Sequence, residues 1–208
     1  MGESMTPSKA MTSGQIDKAV ALYRALLEKH SGALNGAAVQ TVLGQSDLAG
    51  EQLAVFRRRV EAVSNLIVRR VKVNRTRTPQ EALDATGRTQ YMDREIVDGM
   101  PKGEGEEVEV VFFKPDLSHR NGLISDDDLE TEFALHGLKP ADPYSVAAVN
   151  EADHAFADER PHGTHWKDAR GKWCFAAFSQ WNDDERDVRV DRFGSRWIDS
   201  WWFAGLRK

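Results

Sequence analysis

His162 and His165 stand three residues apart in the stretch "DERPHGTHWKD", with Asp158, Glu159 and Asp168 around them and His154 upstream. Imidazole and carboxylate are the ligands that zinc and iron prefer. On a loop or strand edge His162, His165 and Asp168 could close around a metal that activates water for hydrolysis. The plainer expectation is a polar loop in which both histidines are hydrogen-bonded, and neither an HExxH pattern nor a cysteine pair accompanies them. The single cysteine, Cys174, sits between Trp173 and Phe175, the setting of an inert buried thiol. "GEGEE" lacks the lysine and the strand–glycine–helix order of a phosphate loop. The acids of "SDDDLETE" fit a helix N-terminus better than a calcium loop. No stretch carries a cofactor signature, so the expected cofactor complement is none.

A second chemistry is carried by arginines. Residues 57 to 77 hold eight basic residues against one acid, Glu61. Arg57, Arg58, Arg70 and Lys72 could track a phosphate backbone, a nucleic-acid reading opposed by the formal net charge of -5. Residues 93 to 132 run the other way, with thirteen acids against four basic residues. The two segments could neutralise each other within one molecule, or drive self-association between two.

The third candidate is aromatic. All six tryptophans lie from Trp166 onward, and the chain closes on "GSRWIDSWWFAGLRK". Strand neighbours point to opposite faces, so Trp197, Trp201 and Phe203 share one side while Ile198, Trp202 and Ala204 share the other. In "KWCFAAFSQW" the same alternation separates Trp173, Phe175, Ala177, Ser179 and Trp181 from Cys174, Ala176 and Phe178. Both faces are apolar, so each must be covered or left open to a ligand. Core packing alone could account for the indoles. The functional alternative is a stacking surface formed by Trp181, Trp197 and Trp202 with Arg192, rimmed by Arg186, Arg189 and Arg196. The order Arg192, Gly194, Ser195, Trp197, then Gly205, Leu206 and Arg207 loosely resembles the closing stretch of C-type-lectin-like domains related to formylglycine-generating enzymes. There an Arg-Gly-Gly-Ser-Trp box precedes a terminal Gly-Phe-Arg. The resemblance covers residues 192–207, places Phe193 where the family has its first glycine, and implies a ligand-binding fold.

The elements that must position these residues follow from periodicity. Thr12 and Gln15 have capping-box spacing ahead of an amphipathic helix ending near Gly32. Asn35 caps a short helix, and Ser46 a long one whose Leu53, Phe56, Val60, Val63 and Ile67 share a face, giving way to strand near Arg70. "TPQEALDATG", "SDDDLETEFALHG" and "DPYSVAAVN" read as capped helices, and "VEVVFFKP" as an interior strand. From Thr164 to Lys208 the pattern is an antiparallel meander. The expectation is an α+β protein: a disordered tail over 1–11, a helical unit over 12–70, and an α+β domain over 71–208 whose sheet occupies 164–208. One cysteine, no apolar run of about 20 residues and no signal-like leader point to a soluble cytoplasmic protein without membrane contact. The functional expectation is a non-catalytic binding or interaction protein for a small ligand or another protein, leaning away from an enzyme. A His162/His165 metal hydrolase and an Arg57–Arg77 nucleic-acid binder are the alternatives.

Overall fold

The computed structural model describes residues 11–62, 64–118, 120–181, 185–192 and 196–208, and side chains at all of these except 58 and 62. Residues 1–10 of the expected tail, the turns at 182–184 and 194–195, and the Phe193–Ser195 part of the lectin-like stretch lie outside the described residues. The chain divides into two units, Ser8–Ser64 and Asn65–Lys208.

The first unit is helical: α1 (Ser13–His30), α2 (Gly36–Leu43) and α3 (Leu48–Ala62). The Thr12 hydroxyl accepts from the Gln15 amide while the Gln15 side chain accepts from the Thr12 amide, completing the expected capping box. Asn35 accepts from the amides of Ala37 and Ala38. The long helix stops at Ala62 rather than running through Ile67. The β-branched run "LIVRRVKV" forms strand β1 (Leu66–Lys72), and Ile67 pairs with Phe112 there instead of extending a helix face.

The second unit continues with α4 (Pro79–Asp84), β2 (Thr89–Met92), α5 (Arg94–Asp98), β3 (Glu107–Phe113), β4 (Leu123–Ile124), α6 (Asp126–Leu135), β5 (Leu138–Pro140), α7 (Pro143–Ala152) and α8 (Phe156–Glu159). It closes with β6 (His162–Lys167), β7 (Trp173–Trp181), β8 (Glu185–Arg192), β9 (Trp197–Ile198) and β10 (Trp202–Arg207). Thr78, Ser125 and Asp142 cap α4, α6 and α7, as their spacing requires. The fold is α+β. An eight-stranded mixed sheet has the order β1-β3-β10-β6-β7-β8-β2, with β5 added on β10. Strands β6, β7 and β8 form an antiparallel meander, but the closing stretch does not extend it beyond β8. Its first part, β9, pairs with β4 in a small separate sheet, and its last part, β10, crosses back to lie parallel to β6 and antiparallel to β3.

Both faces of the large sheet are covered, because both are apolar. Val110, Phe112, Cys174, Ala176, Phe178, Val188, Val190 and Ala204 pack with α4, α5, α7 and α8 on one side. Val111, Phe113, Phe175, Ala177 and Phe203 pack with Leu129 and Phe133 of α6 and with Trp197 on the other. Trp201 joins the second cluster and Trp202 the first, as alternation requires. Among the described residues no helix is long and apolar enough to cross a membrane.

Candidate functional site

Strands β7 and β8 and the segment Arg196–Trp201 enclose a cleft of about 200 Å³ on the α6 side of the sheet. Phe175, Ala177, Ser179 and Trp181 come from alternate positions of β7, and Asp187 and Arg189 from alternate positions of β8. The opposite wall is Arg196, Trp197, Ile198 and Trp201. The back of the cleft is rigid. Trp197 is buried and meets the rings of Phe175, Trp201 and Phe203 edge to face, with centroids 5.5, 5.3 and 5.3 Å apart. Its Nε1 donates to Asp126 Oδ1 at 3.1 Å. Gly163 of β6 is required by the same ring, since a Cβ there would stand 3.1 Å from Trp197 Cη2 and 3.0 Å from the Ala176 carbonyl oxygen.

The front of the cleft is open. Trp181 is 56% exposed. Arg189 and Arg196 are exposed and make no ion pair among the described residues. Elsewhere in the unit Arg70 and Arg207 pair with Glu109, Arg77 with Glu151, Arg186 with Asp158, and Arg192 with Asp93, Glu95 and Asp168. Between Trp181 and the interior sits a polar pair, the Ser179 hydroxyl donating to Asp187 Oδ1 at 2.7 Å. Burial pushes the Asp187 carboxyl above the ordinary aspartate range, against the hydrogen bond from Ser179, which favours its charge.

Three larger depressions are chemically spent, and the smallest of them, of about 430 Å³, is lined by Arg70, Lys72, Glu107 and Glu109, which pair with one another. One of about 560 Å³ is lined by Arg75 and Arg77. Arg75 bonds to Asp142, Ser145 and the carbonyls of Lys102, Glu104 and Gly105, and Arg77 pairs with Glu151. Another, of about 540 Å³, reaches His165, whose Nδ1 is hydrogen-bonded to Asp126 and whose Nε2 stands at ion-pair distance from Glu130.

The structure separates the two histidines rather than joining them. Strand β6 begins at His162, so an odd spacing of three sends the side chains to opposite faces of the sheet. His162 stacks among Phe112, Phe156 and Phe178. Its Nδ1 faces the Arg160 carbonyl at 2.8 Å, and its Nε2 accepts from the Asn150 amide at 2.9 Å. A carbonyl only accepts, so Nδ1 carries the hydrogen and the ring is neutral. His165 lies on the far face, 2.7 Å from Asp126 Oδ1 and 3.0 Å from Glu130 Oε1, and stacks on Trp173. Asp168 turns the β6–β7 connection, accepting from the amides of Arg170 and Lys172 and from Arg192. Among the described residues no group of three His, Cys, Asp or Glu side chains is placed to hold a metal.

Of the aromatic set read from the sequence, Trp181 and Trp197 line the cleft. Trp202 and Arg192 face the opposite side of the sheet, and Trp201 takes the place given to Trp202. Of the basic set, Arg70 and Lys72 stand across from Glu109 and Glu107 in the β1–β3 register and pair with them, so these charges are met within one chain. Arg57 is exposed on α3, and the Arg58 side chain lies outside the described residues. The cleft residues missed by spacing alone were Phe175, Ser179, Asp187, Ile198 and Trp201. Alternation had already put Phe175, Ser179 and Trp201 on the right faces. Comparison of the chain with protein-family models, with curated proteins and with solved structures returns no match, so the lectin-like resemblance stands on residues 192–207 alone.

Proposed function

We propose that this is a non-catalytic binding protein whose C-terminal cleft takes a small planar anion, stacked against Trp181 with its charge toward Arg189 and Arg196. The observation that carries this reading is an indole left 56% exposed beside two arginines that have no ion-pair partner among the described residues. An aromatic face and a guanidinium rim suit a ring bearing a carboxylate or phosphate, and stacking of this kind contributes about 1–3 kcal/mol per ring. At about 200 Å³ the cleft falls below the usual range for drug-sized ligands, roughly 300–1,000 Å³, which favours a single ring system. The fixed wall behind it, Trp197 held by Asp126, supports binding without rearrangement.

The test is a fluorescence titration of the full chain with single-ring aromatic carboxylates and aryl phosphates. A saturable change in tryptophan emission is expected for at least one member. Affinity should fall about tenfold in Trp181→Ala, and by a similar factor in the Arg189→Ala/Arg196→Ala pair. If no member of the panel gives a saturable change, or if binding ignores both variants, the cleft is not the ligand site.

A further inference from the structure

The cleft holds a carboxylate that a bound anion does not explain. On the paired strands Ser179 stands across from Asp187 and Ala177 across from Arg189, so Asp187 lies one cross-strand row nearer to Trp181 than Arg189 does. Alternate residues of a strand share a face and are about 6.6 Å apart, which sets Asp187 and Arg189 along the cleft at about the width of one ring. Asp187 is 2% exposed, yet it lines the cleft. Burial works against its charge, while the Ser179 hydroxyl and the fields of Arg189 and Arg88 work for it. A carboxylate offers about four acceptor positions, and the Ser179 hydroxyl fills one of them at 2.7 Å. Acceptor capacity therefore remains beside the cleft.

We infer that the ligand of this cleft is an aromatic acid that also carries an amino group on its ring, donating a hydrogen bond to Asp187. The inference rests on the cleft being the anion site proposed above, and it follows from what a ring does on entering. A ring stacked on Trp181 displaces water from the adjoining Ser179/Asp187 row. A C–H edge set there would leave a buried carboxylate without water and without a replacement donor, which opposes binding. An anionic substituent there would meet like charge. An N–H meets the remaining acceptor capacity in a charge-assisted hydrogen bond, and an amine matches it better than a hydroxyl, which brings acceptor lone pairs along with its hydrogen. The parts of the ligand are thereby sorted among the residues: the ring face to Trp181, the anionic group to Arg189 and Arg196, and the donor edge to Asp187. A site with a buried polar group rejects the analogue that lacks its partner far more strongly than an apolar pocket rejects a change of shape, so Asp187 is the residue that sets specificity.

The test is isothermal titration calorimetry of the full chain with meta- and para-aminobenzoate and with meta- and para-methylbenzoate, in which a methyl takes the place of the amino group and the carboxylate is kept. At least one aminobenzoate should bind about tenfold or more tightly than its methyl counterpart. Asp187→Asn, close to Asp187 in shape, should remove most of that preference, with unchanged tryptophan emission showing that the sheet is intact. Ser179→Ala, which leaves the carboxylate in place, should keep it. Equal binding of the amino and methyl compounds to the wild type overturns the inference and leaves the cleft as an anion site without a donor requirement. A preference for the amine that survives Asp187→Asn overturns it as well. Failure of all four compounds to bind, together with no response to the aryl phosphates, overturns the cleft reading and this inference with it.

Discussion

His162 and His165 show how one strand can give two identical side chains opposite electrostatics. Burial lowers the pKa of His162 to about 3, against the hydrogen bond to Arg160, with the charges of Arg88 and Arg69 reinforcing the fall. Burial opposes the charged form of His165 as well, but the contacts to Asp126 and Glu130 outweigh it and raise its pKa above 6.5. For His162 the unfolded chain binds the proton first, so stability is lost as pH falls from 6.5 toward about 3. For His165 the folded chain holds the proton longer, so its contribution is complete below 6.5 and lost as pH rises through the raised folded value. Between pH 6.5 and about pH 5 the His162 penalty amounts to about 2 kcal/mol. His162→Phe, which keeps the ring among Phe112, Phe156 and Phe178, should flatten that acid limb in urea midpoints followed by tryptophan emission. His165→Asn should flatten the limb above pH 6.5. Limbs identical to wild type in both variants would remove these histidines from the pH dependence.

At the level of elements, α6 is the piece that fixes the cleft. Ser125 caps it by accepting from the Asp128 amide at 3.2 Å, and its first turn carries Asp126, Asp127 and Asp128, the charges a helix N-terminus favours. Asp126 is also the shared acceptor for His165 and Trp197, tying the helix to β6 and to the wall of the cleft. Asp126→Ala leaves two buried donors unmatched and should cost on the order of 3 kcal/mol, while Asp126→Asn, which retains an oxygen acceptor, should cost about half as much. Equal losses in urea unfolding would mean that the charge, rather than the shared acceptor, holds the wall. Period-two alternation in "KWCFAAFSQW" and "WIDSWWFA" made the two faces of the sheet legible, as did the caps at Thr78, Ser125 and Asp142. Other features rest on residues distant in the chain, which local periodicity cannot register. Asp126 is 39 positions from His165, and β10 finds β6 and β3 rather than continuing beside β8. The histidine pair was misread for a simpler reason. The strand was expected to begin at Thr164, which left His162 in a loop, whereas its backbone already pairs with Phe178.

For the molecule as a whole, the net charge of -5 conceals where charge is still available. On the sheet Arg70 and Lys72 meet Glu109 and Glu107 across β1 and β3, while Arg189 and Arg196 stand beside an open indole with no ion pair among the described residues. All six tryptophans report from this unit, and Trp181 is 56% exposed, while Trp197 is only 3% exposed. Quenching of tryptophan emission by iodide and by caesium, in the wild type and in Trp181→Phe, therefore reads the cleft directly. Iodide should quench a minor, accessible fraction of the emission far more strongly than caesium, and Trp181→Phe should remove most of that fraction. Emission shielded from both ions, or an accessible fraction that Trp181→Phe leaves unchanged, would contradict an open, positively rimmed cleft at the end of the sheet.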